Sequence, residues 1–189
     1  GTLVLNSPMG AAAGNKTLAL TAGTVQLGAS SPVSQLPDNV RLDLAGGTTF
    51  DLNGNSESVG SISGSGGLNL SGTGSLLLGL DNTSATFSGN ITGGSSGGLT
   101  KLGSGVQTLS GTNSFTGTVL IRNYGFQSGG GLEIENGAAL IDTVALRNAG
   151  CGTIFSVLDS ETIGALTGTQ NTVVNLGTGA TLTTSYTNA

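Results

Sequence analysis

Two pairs of carboxylates have a spacing that a catalytic site could use. Glu133 and Glu135, and Asp159 and Glu161, each stand two residues apart, and residues two apart project from one face of an extended strand. Two carboxyl groups on one face are what hydrolysis or elimination of a polysaccharide needs, one as acid and one as base or nucleophile. Solvated surface charge is the simpler reading of all four residues, and it is the one adopted. Of the four, only Glu161 has a carboxylate counterpart elsewhere in the chain, Glu57. Those two fall several strands apart, too far to act as a dyad.

Other chemistry is thinner still. The chain has no histidine, which removes Ser-His-Asp and Cys-His nucleophile systems and the commonest metal ligand together. The glycine clusters at 64–67, 93–98 and 129–131 carry no carboxylate and no Lys-Ser/Thr pair. Calcium-binding glycine repeats need the first and phosphate loops need the second. Cys151, in "NAGCGTIF", is the single thiol; it cannot close an internal disulfide and reads as a small residue in a turn. No catalytic, cofactor-binding or metal-ligating residue is assigned. The chain is read as a non-enzyme with no cofactor.

The elements that must carry these residues are short strands. Segments such as "KTLALT" at 16–21, "VRLDLAGG" at 40–47, "GLNLSGTG" at 67–74, "GVQTLSGTN" at 105–113 and "GTVLIRN" at 117–123 place apolar residues at i, i+2. Each is cut off by Gly, Asn or Ser, so strands follow one another about every ten residues and no helix is predicted. Glycine is 35 of the 189 residues, yet only 15 residues are charged. A disordered chain avoids collapse by high charge, so this weakly charged composition favours ordered strands. The five cations, Lys16, Arg41, Lys101, Arg122 and Arg147, are scattered, which argues against nucleic acid as a partner. The longest apolar runs, such as "SLLLGL" at 75–80, are too short to cross a bilayer, so no membrane insertion by this segment is expected.

A longer period overlies the short one. "LPDNVRLDLAGGTTFDLNGNSESVGSISG" at 36–64 is echoed by "LIDTVALRNAGCGTIFSVLDSETIGALTG" at 140–168, with Asp38 matching Asp142, Phe50 matching Phe155 and Glu57 matching Glu161. The expected organisation is one domain over 1–189, with a complete unit at 1–116 and a partial unit at 117–189. Few aromatics and many small corner residues favour a solenoid over a sandwich or propeller. The predicted fold is all-β, a single-stranded right-handed parallel β-helix. At roughly 20 to 24 residues per coil it would make about eight or nine coils and a rod on the order of 40 Å long. In "GGLTKLGSGVQTLSGTNSFTG" at 97–117, Leu99, Leu102, Val106, Leu109 and Phe115 are the expected inward rungs. Phe50, Phe87 and Phe155 are expected inside, while Tyr124 and Phe126 read as loop anchors.

The stretch "GGLTKLGSGVQTLSGTNSFTGTVLI" at 97–121 resembles the autotransporter-associated β-strand repeat, whose members read GGLTKxGxGTLTLSGxNTYTGxTxI. "TTFDLNGNSESVGSISGSG" at 48–66 and "IDTVALRN" at 141–148 are similar to the flanks of that repeat. "VQTL" replaces the family's "TLTL", and Phe115 stands for its usual Tyr. The resemblance implies a passenger-type β-helix, extracellular or on the outer surface of a Gram-negative bacterium, in adhesins and related large proteins. It supplies no catalytic motif. Open coil edges recruit other strands, and the chain starts and stops on strand patterns, so end-to-end self-association into a filament is expected. A host or matrix glycan or protein is the other expected partner. The leading expectation is a structural or adhesive surface protein; alternatives are a carbohydrate-binding module and, behind it, a polysaccharide-degrading enzyme.

Overall fold

The computed structural model describes residues 1–6, 16–28, 34–93, 96–123 and 129–185. Tyr124 and Phe126 lie outside the described residues. Among the described residues the regular structure is strand alone, so no helix is long and apolar enough to cross a membrane. The strands are β1 (Thr2–Leu5), β2 (Thr17–Leu20), β3 (Thr24–Leu27), β4 (Arg41–Leu44), β5 (Thr49–Asp51), β6 (Ser56–Val59) and β7 (Ile62–Gly64). Next come β8 (Gly67–Asn69), β9 (Ser75–Leu78), β10 (Ala85–Phe87), β11 (Ile91–Thr92), β12 (Gly98–Lys101), β13 (Val106–Leu109) and β14 (Thr118–Ile121). The last are β15 (Gly131–Ile134), β16 (Ala145–Asn148), β17 (Ile154–Val157), β18 (Glu161–Ile163), β19 (Ala165–Gly168), β20 (Val173–Leu176) and β21 (Leu182–Thr184).

Their pairing makes a parallel β-solenoid. Sheet A runs β1-β3-β5-β8-β11, sheet B runs β2-β4-β7-β10-β13-β15-β17-β20, and sheet C runs β6-β9-β12-β14-β16-β19. A two-stranded sheet D, β18-β21, takes the place in the coil order that sheet A holds earlier. The chain steps from C to B to A and back to C one coil further on, and every pairing is parallel. The stack has about seven turns, against the eight or nine expected. The residues per coil are close to those expected, with offsets of 19 to 25 between successive strands of sheet B, and its eight strands make seven steps.

Inside, equivalent residues of successive coils form ladders. On sheet B one ladder reads Leu20, Leu44, Gly64, Phe87, Leu109, Ile134, Val157 and Leu176. Phe50, Phe87, Phe115 and Phe155 are all buried; each fully buried ring contributes roughly 1.5–3 kcal/mol. Leu99, Leu102, Leu109 and Phe115 are inward as expected, but Val106 is not. Register pairs Gln107 and Leu109 with the buried Leu132 and Ile134. Val106 is therefore turned outward, and the polar Gln107 takes the rung.

Corners are made by residues that tolerate positive φ. Asn53, Asn82, Asn136 and Asn171 adopt it, as does Gly64 at φ 94, where a Cβ would run into the Leu44 carbonyl of the coil before. Cys151 lies in one such turn and is exposed.

Candidate functional site

The two carboxylate pairs do not form matching sites. Glu133 projects outward from β15 and accepts a hydrogen bond from the Thr108 hydroxyl of the preceding coil, at 3.0 Å. Glu135 follows the end of that strand and is half-buried. Asp159 and Glu161 face opposite ways. Asp159 is exposed in the turn before β18, where it accepts the Asn136 N–H at 2.8 Å. Glu161 is buried, accepting N–H bonds from Ala139 at 2.9 Å and from Leu140 and Thr162. Strict alternation begins only inside the strand, so the i, i+2 rule does not carry across the turn. Burial pushes the Glu161 carboxyl above its ordinary value; the three N–H donors pull it back, and nearby Asp142 pushes it up further.

Glu161 belongs to a set of buried polar side chains that stand in for missing ladder bonds. Glu57, the first inward residue of sheet C, accepts the N–H groups of Gln35 (2.8 Å), Leu36 (3.4 Å) and Ser58 (3.0 Å), and also the Ser34 hydroxyl. Residues 34–36 form no strand in the described structure, and the carboxyl supplies the acceptors a strand would have offered. Glu161 repeats these contacts 104 residues later, on Ala139, Leu140 and Thr162. The echo is turned by one face: Glu57 lies on sheet C and Glu161 on sheet D, Phe50 on sheet A and Phe155 on sheet B.

Amides do the same work elsewhere. Between β11 and β18 two coils lack a strand on this side, and Asn113 bridges them. It accepts the Ile91 N–H at 2.7 Å and donates to the Gly111 and Ala139 carbonyls. Gln107 both accepts the Ile62 N–H (3.2 Å) and donates to the Ile62 carbonyl (3.0 Å), across a β7–β10 pairing that registers only Phe87 with Gly64. Gln35 treats Gly28 in the same two-way manner. Unpaired buried peptide groups are costly, so these residues are held by the backbone and not free for a ligand. Hydrophobic patterning passes over them; the matching of Glu57 with Glu161 was the one signal in the sequence.

A charged corner joins sheets C and B. Lys101 points inward on the ladder of Leu78 and Ile121, and its ammonium donates to the Leu102 and Gly103 carbonyls. Burial lowers its pKa to about 8, with Asp81 pulling the other way. Asp81, its side chain 1% exposed, lies 4.0 Å from Arg41 and accepts bonds from the Ser61 and Thr83 hydroxyls at 2.8 and 2.5 Å. Arg41 completes the cluster by donating to Ser61 at 3.0 Å and Thr83 at 2.7 Å. Arg41, Ser61, Asp81 and Thr83 thus satisfy one another across three coils, while Lys101 is satisfied by backbone carbonyls.

The outer face of sheet C is different, because it is concave. Ser58, Ser75, Leu77 and Thr100 line a hollow of about 610 Å³, walled by Ser34, Gly54 and Asn55. The next strands continue it as a hollow of about 260 Å³ between Thr118, Leu120, Ala145, Arg147, Ala165 and Thr167. Register places both on one surface. Compared with known protein families, curated proteins and solved structures, the chain finds no match in any of the three.

Proposed function

We propose that this chain is a structural segment of an extracellular surface protein of a Gram-negative bacterium, of the autotransporter-associated type that residues 97–121 resemble. One observation carries the reading. The buried polar groups Glu57, Lys101, Gln107, Asn113 and Glu161 all bond backbone groups across or at the corners of the stack. Such a core makes the coils stiff and registered. A rod of this kind serves display and adhesion, without a catalytic role or a cofactor.

Leu3 and Val4 of β1 and Val173, Val174 and Leu176 of β20 are exposed, on strands that end sheets A and B among the described residues. Unpaired parallel edges accept a further strand, and in this reading they join to further coils end to end. Electron microscopy of the native material tests both parts. Rods joined along their axis, removable from intact cells by added protease, are the expected result. Discrete unjoined rods would sink the end-to-end stacking, and protection from protease on intact cells would sink the surface location.

A further inference from the structure

We propose that the outer face of sheet C is a binding trough for a linear pyranose oligosaccharide lying along the solenoid axis. Two outward ladders build it. One runs Ser56, Ser75, Gly98, Thr118, Ala145, Ala165; the other runs Ser58, Leu77, Thr100, Leu120, Arg147, Thr167. The first consists only of small residues and makes the floor, while the second rises beside it at Leu77, Leu120 and Arg147 and makes an interrupted ridge. Six strands spaced ~4.8 Å apart give a trough ~24 Å long. Its two hollows, of about 610 and 260 Å³, adjoin along the axis, so the ligand that fits is extended, not compact.

The ridge fixes the chemistry. Leu77 and Leu120 alternate with Ser58, Thr100 and Arg147, so aliphatic contacts recur every ~9.6 Å with hydrogen-bonding groups between them. A linear glycan presents that alternation, apolar ring faces and hydroxyl edges in turn along a stiff chain. A protein partner would want aromatic or arginine anchors at the centre of a closed patch. Here the centre is Thr100, Leu120 and Gly98. Arg147 is the only charged side chain on the two ladders, so the trough does not select a polyanion, although it can hold one carboxylate at that end. The site is independent of whether the rod stacks end to end.

The probes are hexasaccharides of β-1,4-linked glucose, β-1,4-linked N-acetylglucosamine and α-1,4-linked galacturonate, each titrated into the purified chain by calorimetry and NMR. Saturable binding of at least one is expected, with chemical shifts confined to β6, β9, β12, β14, β16 and β19. Ala145→Arg, which fills the floor at an exposed position, and the double variant Leu77→Ser/Leu120→Ser are each expected to weaken it at least tenfold. Thr86→Arg, on the exposed face of sheet B, should leave it unchanged. Arg147→Ala should weaken galacturonate more than the neutral probes. Circular dichroism melting of each variant separates lost binding from lost fold, and for a variant that melts early the shift map of the unmodified chain decides. The proposal is overturned if no hexasaccharide binds saturably, if the shifts fall elsewhere, or if folded Ala145→Arg binds as tightly as the parent. Failure of the rod reading would show instead in the microscopy.

Discussion

Lys101 shows at the residue scale how the interior constrains a charge. Its ammonium is drawn out of water to reach two carbonyls, which leaves its pKa near 8 in the fold against 10.5 in the open chain. Between those values the unfolded chain holds more proton than the native one. Stability should therefore rise with pH across that window, by at most about 3 kcal/mol, and be flat with respect to this group below it. Lys101→Met should remove the slope, because the titrating group is gone, while stranding the Leu102 and Gly103 carbonyls at a pH-independent cost of about 1–3 kcal/mol. Urea titrations of both proteins between pH 7 and 10.5 check this. Asn113 is the uncharged counterpart. Asn113→Leu strands the Ile91 N–H and the Ala139 carbonyl, and should cost about 1–3 kcal/mol in the same titration.

Corners dominate at the scale of the element. Gly117 follows the coil of Gly97 so closely that a Cβ would collide with the Gly97 carbonyl, whereas Gly47 has open space around it at φ 81. Gly117→Ala should thus cost about 3 kcal/mol or more, because backbone in two coils has to move. Gly47→Ala should cost about 1–2 kcal/mol, from the left-handed backbone alone. Comparing the two denaturation midpoints separates coil spacing from turn conformation. Much of this level was legible beforehand: the strands "TLAL", "RLDL" and "TVLI" and the small residues between them announced themselves by period. The role of Val106 did not. In "GVQTL" alternation permits either Val106 and Thr108 or Gln107 and Leu109 to face inward; the register that buries Leu109 between Phe87 and Ile134 also sets Gln107 against the Ile62 peptide group, which it bonds both ways.

At the scale of the whole molecule, stability is a sum over neighbouring coils, so the terminal coils are its weakest part. In the end-to-end reading their exposed Leu3, Val4, Val173, Val174 and Leu176 are the joining surfaces. This polypeptide should self-associate in a concentration-dependent way, and Val174→Lys with Leu176→Lys should shift it toward monomer by placing charge on the edge. Sedimentation velocity across a hundredfold concentration range reads the difference. An unchanged distribution would mean that β20 is not the joining edge.

By itself the amino-acid sequence determined the class of architecture. Period-two apolar residues, glycine and asparagine at short intervals and an echo near 105 residues can be satisfied together only by short strands winding into stacked coils, because backbone groups must pair and the apolar faces must meet. Tertiary structure alone decided how that echo sits on the coils: equivalent residues are rotated by one face, since the repeat is not a whole number of turns. It also decided which polar residues go inside. Glu57, Gln107, Asn113 and Glu161 are buried because particular peptide groups of neighbouring coils would otherwise be unpaired, and those gaps exist only once the coils are stacked. The concave face of sheet C is of the same kind, for it depends on six separate segments brought into register.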